Sequence, residues 1–508
     1  MKYLTLKIII LILVIPNLSS SQNEIPAFIN DSLDIYVNRA LRDWRIPGCA
    51  VAIVKNGKVI VSKGYGIRDL ESRMPVDEHT QFMIASNTKA VTGICLAKLE
   101  QEKILSLNDP VTKWLPWFKL YDKNATELAT IKDILTHRIG FETFQGDFSH
   151  WNTNTSRREV IERMAKIKPV YGFRDRWGYC NAGYTVAGEI IYKSSGLNWE
   201  QYITKNLFEP LGLTETHALN NNFINQPNHC TPYTIYNNEI LKLTIPNLNN
   251  LAPAASICSS VSDWIKWVQL ILDEGNWNGK EIISPAAIKR SMQAMSIRGA
   301  FNPRFNSGHF NLYGLGWLLQ DYHKHKIVSH TGGADGFVSS VTLLPEEELG
   351  IVVFTNTDAN NFYEALKWEL VDAFLNLPYR NYSNLMLPEF TKYQLEDLKW
   401  LKSVRDSVDL NLIPPIPLKK FTGNYSNSVY GTMKITQEAN FLKASFQHHL
   451  NQDAKLEYMG QDRFLCTYSN PTLGIKVIPF KILKKKVVSL SLSCADFIEF
   501  TPYEFIKK

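Results

Sequence analysis

The chain has 508 residues, 45% of them hydrophobic, 20% charged and 12% aromatic, a globular composition that excludes general disorder. Such a length exceeds what one small core organises and points to two domains. The formal charge of +6 is small for this size, and its visible clusters, Lys484-Lys485-Lys486 and Lys507-Lys508, are solvated loop and tail charges that give no nucleic-acid stripe.

Residues 1–21 carry Lys2 and Lys7, an apolar run from Ile8 to Ile15, and Leu18-Ser19-Ser20-Ser21. This pattern predicts a cleavable signal peptide and a secreted or periplasmic location. The apolar run is too short to span a bilayer and no cysteine follows it to accept lipid, so no membrane span is expected after cleavage. The seven cysteines contain no Cys-x-x-Cys pair, so neither a zinc site nor a redox motif is supported. Their odd number leaves at least one free thiol in an exported protein, and a bridge between Cys466 and Cys494 stays open. Asn124-Ala125-Thr126, Asn381-Tyr382-Ser383 and Asn424-Tyr425-Ser426 are glycan acceptors only along a eukaryotic secretory route.

Asp31–Trp44 reads as an amphipathic helix, with Leu33, Tyr36, Val37, Ala40 and Leu41 at helical spacing. Ala50–Val54 and Val59–Val61 flank Asn56-Gly57, the pair best suited to a type I′ hairpin turn. Phe82–Lys89 runs into an almost uninterrupted apolar helix pattern from Ala90 to Leu99. Strands recur far downstream at Val338–Leu344 and Gly350–Phe354, before a helix at Phe362–Leu375. Strands at both ends with helices between predict one sheet closed by distant parts of the chain. The pattern weakens over residues 379–417 and ends in Ile413-Pro414-Pro415-Ile416-Pro417, which reads as a linker. Short alternating strands then predict a small antiparallel β domain over 418–508. The divisions are thus a signal at 1–21, a main domain at 22–378, a linker at 379–417 and the β domain.

On a helix, Ser86 and Lys89 share a face. A serine hydroxyl needs activation to act as a nucleophile, and an amine in apolar surroundings loses enough proton affinity to supply it. The same spacing also describes a helix N-cap followed by a surface lysine. Catalysis would require a second proton carrier, a polar substrate clamp and an oxyanion site. The turn Tyr179-Cys180-Asn181 offers a phenol, which a nearby lysine would help to ionise, and an amide to grip a substrate carbonyl. Tyr-x-Asn also begins at Tyr36, Tyr236, Tyr379, Tyr382, Tyr425 and Tyr468, so context must choose. Ser329-His330-Thr331-Gly332-Gly333 offers a small-residue strand for a substrate backbone and a glycine amide for an oxyanion, or else a glycine-rich turn. His137, in Leu135-Thr136-His137-Arg138-Ile139-Gly140, is assigned mainly to structure. His323-Lys324-His325 and His448-His449 lack partners at metal-site spacing and are expected on exposed loops or strands; no metal or organic cofactor is expected.

Taken in order, Ser86-x-x-Lys89, Leu135-Thr136-His137, Tyr179-Cys180-Asn181, Pro210–Thr214, Tyr313-Gly314-Leu315-Gly316-Trp317 and His330-Thr331-Gly332-Gly333 resemble the serine β-lactamase-like superfamily. The look is closest to class C β-lactamases, DD-peptidases, D-aminopeptidases and related esterases, over roughly residues 30 to 376. Phe421–Tyr425 resembles the small β domain appended to many such hydrolases. The resemblance implies an α/β (α+β) fold, an antiparallel sheet flanked by helices with an all-helical lobe, followed by a small antiparallel β-barrel-like domain. It implies an exported serine hydrolase acting on a small-molecule or peptide substrate through an acyl-enzyme. Ser86, Lys89 and Tyr179 would be catalytic, and the amides of Ser86 and Gly333 would form the oxyanion hole. Asn181, His330, Thr331 and Gly332 would bind substrate. Two departures stand out. His330 replaces the lysine of many β-lactamases and, being mostly neutral at pH 7, would hold a substrate carboxylate less firmly; Cys180 replaces a common serine. A silent binding or sensor protein with the same fold is the alternative; a third reading has the β domain bind a lipid, glycan or partner and merely localise the enzyme. Pocket walls would come from loops such as Phe144–Asn154 and Phe301–His309, which leave the substrate open.

Overall fold

The computed structural model describes residues 25–299 and 308–508. The signal predicted over residues 1–21 and residues 301–307 of the predicted Phe301–His309 pocket loop lie outside the described residues.

Six consecutive apolar residues, Cys49–Val54, call for cover on both faces of a strand. They lie in β1 (Gly48–Lys55), an inner strand of a nine-stranded antiparallel sheet. The others are β2 (Lys58–Asp69), β3 (Met74–Pro75), β4 (Ser296–Ile297), β5 (Asn311–Tyr313), β6 (Leu318–Tyr322), β7 (His325–Ala334), β8 (Phe337–Leu344) and β9 (Leu349–Thr355), in the spatial order β4-β5-β6-β7-β8-β9-β1-β2-β3. Cys49 pairs with Thr355 and Lys55 with Leu349, so distant parts of the chain close one sheet as the sequence predicts. Asn56 and Gly57, with φ of 50° and 71°, turn β1 into β2, the double positive φ of a type I′ hairpin.

Successive β1 side chains face opposite ways. Cys49, Val51 and Ile53 enter one core with α1 (Leu33–Asp43), while Ala50, Ala52 and Val54 enter another with the helical lobe inserted between β3 and β4. That lobe is built around α2 (Thr88–Gln101), apolar or small on nearly every side and buried accordingly. α3 (Asn181–Ser195) packs on it, and α4 (Val261–Leu272) lies on the sheet against β9 and β1. On the far side of the sheet, α5 (Phe362–Phe374) joins α1.

The predicted linker proves to be mainly α6 (Tyr382–Asp409), a helix of 28 residues with Pro388 in its second turn. Its start is held by Trp44, whose Nε1 donates to Ser383 Oγ at 2.9 Å and whose ring meets Phe390. Its end packs Leu401 and Val404 on Met459 and Leu465, and Arg405 pairs with Glu457. The helix hides from sequence reading because few of its residues are buried and an early proline imitates a break. It is a strut between two packed bodies.

Residues 418–508 form a closed barrel of eight antiparallel strands, from β10 (Gly423–Asn427) to β17 (Tyr503–Lys507), closed where Tyr425 pairs with Lys507. Its core continues into the main domain. Phe148, from the loop after the helical lobe's first half, stacks on Tyr430 with ring centroids 5.2 Å apart, and meets His449 and Tyr503. His449 is therefore buried against Tyr430 instead of exposed as expected, and His448 Nδ1 lies 2.9 Å from Asn154 Oδ1 across the domain boundary. Cys466 and Cys494 are buried free thiols, as are the other five cysteines. No helix among the described residues is long and apolar enough to cross a membrane, and no three His, Cys, Asp or Glu side chains among them are grouped to hold a metal.

Candidate active site

The chain enters the site through the short strand Phe82–Met83 and the 3₁₀ turn Ala85–Asn87, which leads directly into α2. Ala85 holds a φ of 45°, a left-handed conformation that costs a non-glycine residue about 1 kcal/mol or more and sets the turn on which Ser86 sits. Ser339 Oγ ties that turn to the sheet, donating to Ile84 O at 2.7 Å and accepting from Asn87 Nδ2 at 2.8 Å. Gly332 lies so close that a Cβ there would come 2.0 Å from Ile84 O, so only glycine lets β7 rest on the nucleophile turn.

One helical turn after Ser86, Lys89 is wholly buried with Nζ 3.1 Å from Ser86 Oγ. Nζ also donates to Asn181 Oδ1 at 2.7 Å and to Ala254 O at 3.0 Å. Burial pulls its pKa down to about 7, against the opposing pull of Asp147. The partners determine what deprotonation does. Two of them are carbonyl oxygens, which only accept, so a neutral amine keeps its two hydrogens on Asn181 and Ala254. Its lone pair then faces the Ser86 hydroxyl, the arrangement of a general base.

Asn181 opens α3 with both ends of its amide engaged, Oδ1 by Lys89 and Nδ2 by Asp147 Oδ2 at 2.5 Å. Burial raises the Asp147 carboxyl to about 7. Tyr179 is also buried, its ring 4.6 Å from Lys89 Nζ. The easier ionisation anticipated beside lysine is not found: burial pushes the phenol well above its ordinary pKa, outweighing a hydrogen bond with Ser86. Tyr179 is therefore a neutral hydroxyl. His137 packs 4.5 Å from its ring and accepts from Cys180 N through Nδ1 at 3.0 Å, so it supports the turn, as assigned from sequence. Burial raises the Cys180 thiol to about 12 and keeps it unreactive.

β6 pairs with β7 only as far as Ser329, so among the described residues one backbone edge of β7 is unpaired from His330 onward, with Thr331 and Gly333 half-buried there. His330 itself is buried. Its Nδ1 lies 2.7 Å from Thr331 O, which can only accept, so Nδ1 carries the proton and Nε2 accepts from Tyr313 OH at 3.1 Å. Burial and the nearby Lys89 hold the ring's pKa down to about 3, so it is neutral. Arg298, its guanidinium 5.2 Å over Trp177, is one of the cations near enough to His330 to help hold its ring neutral.

Sequence reasoning brought Ser86, Lys89, Tyr179, Asn181 and the His330–Gly333 edge together, and in the structure they are neighbours. It missed Asp147 and two barrel residues. Phe497 lies against Gly333, with Cε2 3.0 Å from where a Cβ would stand, and meets Trp151 edge-on. Glu499 reaches Gly146 and Phe148. The Phe144–Asn154 loop was legible only as a pocket wall, and nothing in Cys494–Phe500 signals a site.

A family model described as Beta-lactamase matches residues 34–376. Protein flp of Staphylococcus aureus is 30% identical over 336 residues, 65% of this chain and 64% of that protein, so the match spans less than two thirds of the relative. The unguisins hydrolase ungD' of Aspergillus campestris is 26% identical over 428 residues, 80% of this chain and 78% of that protein. The fold is shared with the octameric penicillin-binding protein homologue from Pyrococcus abyssi at a TM-score of 0.61 and 22% identity, covering 93% of this chain and 99% of that one. With SurE the TM-score is 0.56 at 17% identity, covering 94% of this chain and 98% of that one. The matched residues contain Ser86, Lys89, Tyr179, Asn181 and the His330–Gly333 edge: the chain belongs to the β-lactamase family of serine hydrolases.

Proposed function

We propose that the protein is an exported hydrolase that cleaves an amide or ester bond through an acyl-enzyme on Ser86, with D-amino-acid peptides or related small substrates favoured. The observation that carries the reading is the placement of the buried Lys89 amine 3.1 Å from Ser86 Oγ, with its other hydrogens spoken for by two carbonyl oxygens. Ser86 Oγ attacks the substrate carbonyl carbon as its proton passes to Lys89 Nζ. The backbone amides of Ser86 and Gly333 receive the oxyanion, a contribution of about 3 to 4 kcal/mol for a donor of this kind. Collapse breaks the bond to the leaving nitrogen or oxygen, which takes a proton from the neutral Tyr179 hydroxyl, itself replenished by Lys89. Water then attacks the ester, its proton returns along the same groups, and Ser86 Oγ is released protonated.

The neutral His330 supports a preference away from substrates that need a fixed cation on this strand; among the described residues, Arg298 is a cation near it that would meet a carboxylate. Export rests on the signal pattern of residues 1–21. The test is mass spectrometry of the purified protein after exposure to a penicillin, a D-alanyl peptide ester and a small activated ester, with Ser86→Ala alongside. An adduct on Ser86 that is absent from the variant supports the reading, and the reagent that reacts narrows the substrate. Folded protein with no adduct from any reagent would leave a binding or sensor role instead. Fractionation of cells producing the full chain tests export.

A further inference from the structure

Between β16 (Lys486–Leu492) and β17 the barrel sends a buried carboxylate into the main domain. Glu499 Oε1 accepts from Gly146 N–H at 2.7 Å, and Oε2 accepts from Phe148 N–H at 2.9 Å and from the Tyr503 hydroxyl at 2.8 Å. The two backbone donors flank Asp147, so the carboxylate grips the turn on either side of one residue. That residue's side chain runs the other way, to Asn181 and through it to Lys89. Among the described residues, three donors and no acceptor reach the Glu499 carboxylate, an environment for a group with lone pairs and no hydrogen of its own. Burial nevertheless raises its pKa to about 8, and Asp147, Tyr503 and Cys494 are the titratable groups that face it.

Burying a carboxyl this deeply is costly, and a barrel needed only as an attachment would fill the place with apolar side chains. Phe148 already supplies apolar docking beside it. What Glu499 adds is direction: two hydrogen bonds that set where Asp147 points. We propose that Glu499 is a positioning residue for acylation, clamping the Gly146–Phe148 turn so that Asp147, Asn181 and Lys89 stand in line behind Ser86. The barrel is then part of the catalytic device. The proposal rests on the acyl-Ser86 reading given above.

The test is stopped-flow acylation of the full chain by an activated ester, with burst amplitude, saturating rate and substrate dissociation constant read separately. The proteins are wild type, Ser86→Ala, Glu499→Gln, Asp147→Asn and the Glu499→Gln/Asp147→Asn double variant. Glutamine keeps the volume but accepts at one end only, so one of the two backbone clamps is lost. Glu499→Gln is expected to burst to full amplitude with an unchanged dissociation constant and a saturating rate lower by about 10- to 100-fold, the scale on which displaced catalytic groups lose rate. The double variant is expected to be no slower than Asp147→Asn alone, because one residue acts through the other. Wild-type rate in Glu499→Gln, or effects that multiply in the double variant, would overturn the proposal while leaving the Ser86 reading intact. Equal bursts from wild type and Ser86→Ala would overturn that reading and the proposal with it. If Glu499→Gln does not fold, Tyr503→Phe takes its place in the cycle: slower acylation that Asp147→Asn masks supports the proposal, and an unchanged or multiplying rate rejects it.

Discussion

Asp147 and Phe148 are chain neighbours that serve opposite domains: the carboxyl of one accepts from Asn181 at 2.5 Å, while the ring of the other stacks on Tyr430 inside the barrel. Docking and the hydrogen-bond chain to Lys89 therefore share a single turn of backbone. Phe148→Ala removes a fully buried aromatic side chain and is expected to cost about 3 to 5 kcal/mol, seen as a lower melting temperature. Ester turnover should fall with it at temperatures where the protein remains folded. A variant that melts early but acylates at the wild-type rate would separate the two roles.

Lys89→Met exchanges a buried amine for an apolar chain of similar length. Activity towards an activated ester is expected to fall by about 10²- to 10⁴-fold, the usual contribution of a positioned base. Thermal stability should hold or rise, because this one ionisable amine no longer has to be kept in the core. Parallel kinetics and melting curves check both parts, and retained turnover would rule out Lys89 as the base.

Acylation is expected to increase with pH through about 7, as the buried Lys89 ammonium loses its proton and turns a lone pair to Ser86. Lys89 and Asp147 are both pulled towards about 7 by burial, so the limb belongs to the pair. Stability carries the opposite signs of the two shifts. The lowered Lys89 binds fewer protons folded than unfolded between about pH 7 and its ordinary 10.5, so its penalty relaxes as pH rises. The raised Asp147 favours the fold at low pH and loses that contribution as pH climbs through about 7. A pH profile of single-turnover acylation tests the first part; a limb that Asp147→Asn leaves unmoved would argue against coupling.

Phe497→Ala opens the cleft beside Gly333. The ratio of kcat/KM for a bulky acyl ester over an acetyl ester should rise by about 10-fold, since a pocket wall discriminates by about 1 to 3 kcal/mol. Penicillin acylation should gain in the same direction. An unchanged ratio would remove Phe497 from the substrate's path.

What the sequence made legible was local or ordered. Ala50–Val54 and Val59–Val61 read as strands on either side of Asn56-Gly57, the pair best suited to a tight turn. Ser86, Lys89, Tyr179 and His330 stood out because their types and order carry the chemistry. The missing parts depend on through-space contacts between residues of ordinary type. Asp147 gains meaning only when Phe148 is anchored in the barrel, and Glu499 only when the barrel docks. Nor could the tyrosine's ionisation be judged without knowing that His137, Phe144 and Trp177 surround its ring. The helical form of the connector, α6, was not legible for a related reason, since a strut that lies mostly in solvent needs little apolar periodicity.

Closure of the barrel waits for Tyr503–Lys507, which pairs with both Gly423–Asn427 and Lys486–Leu492. During synthesis, Ser86, Lys89, Tyr179 and Asn181 all emerge hundreds of residues before the strand that completes Phe148's socket and sets Glu499 in place. A nascent chain thus carries its reactive groups without the partner that aligns them. Seen in time instead of space, the barrel acts as a delay: on the proposal made for Glu499, the alignment of the reactive groups waits until Tyr503–Lys507 has been made.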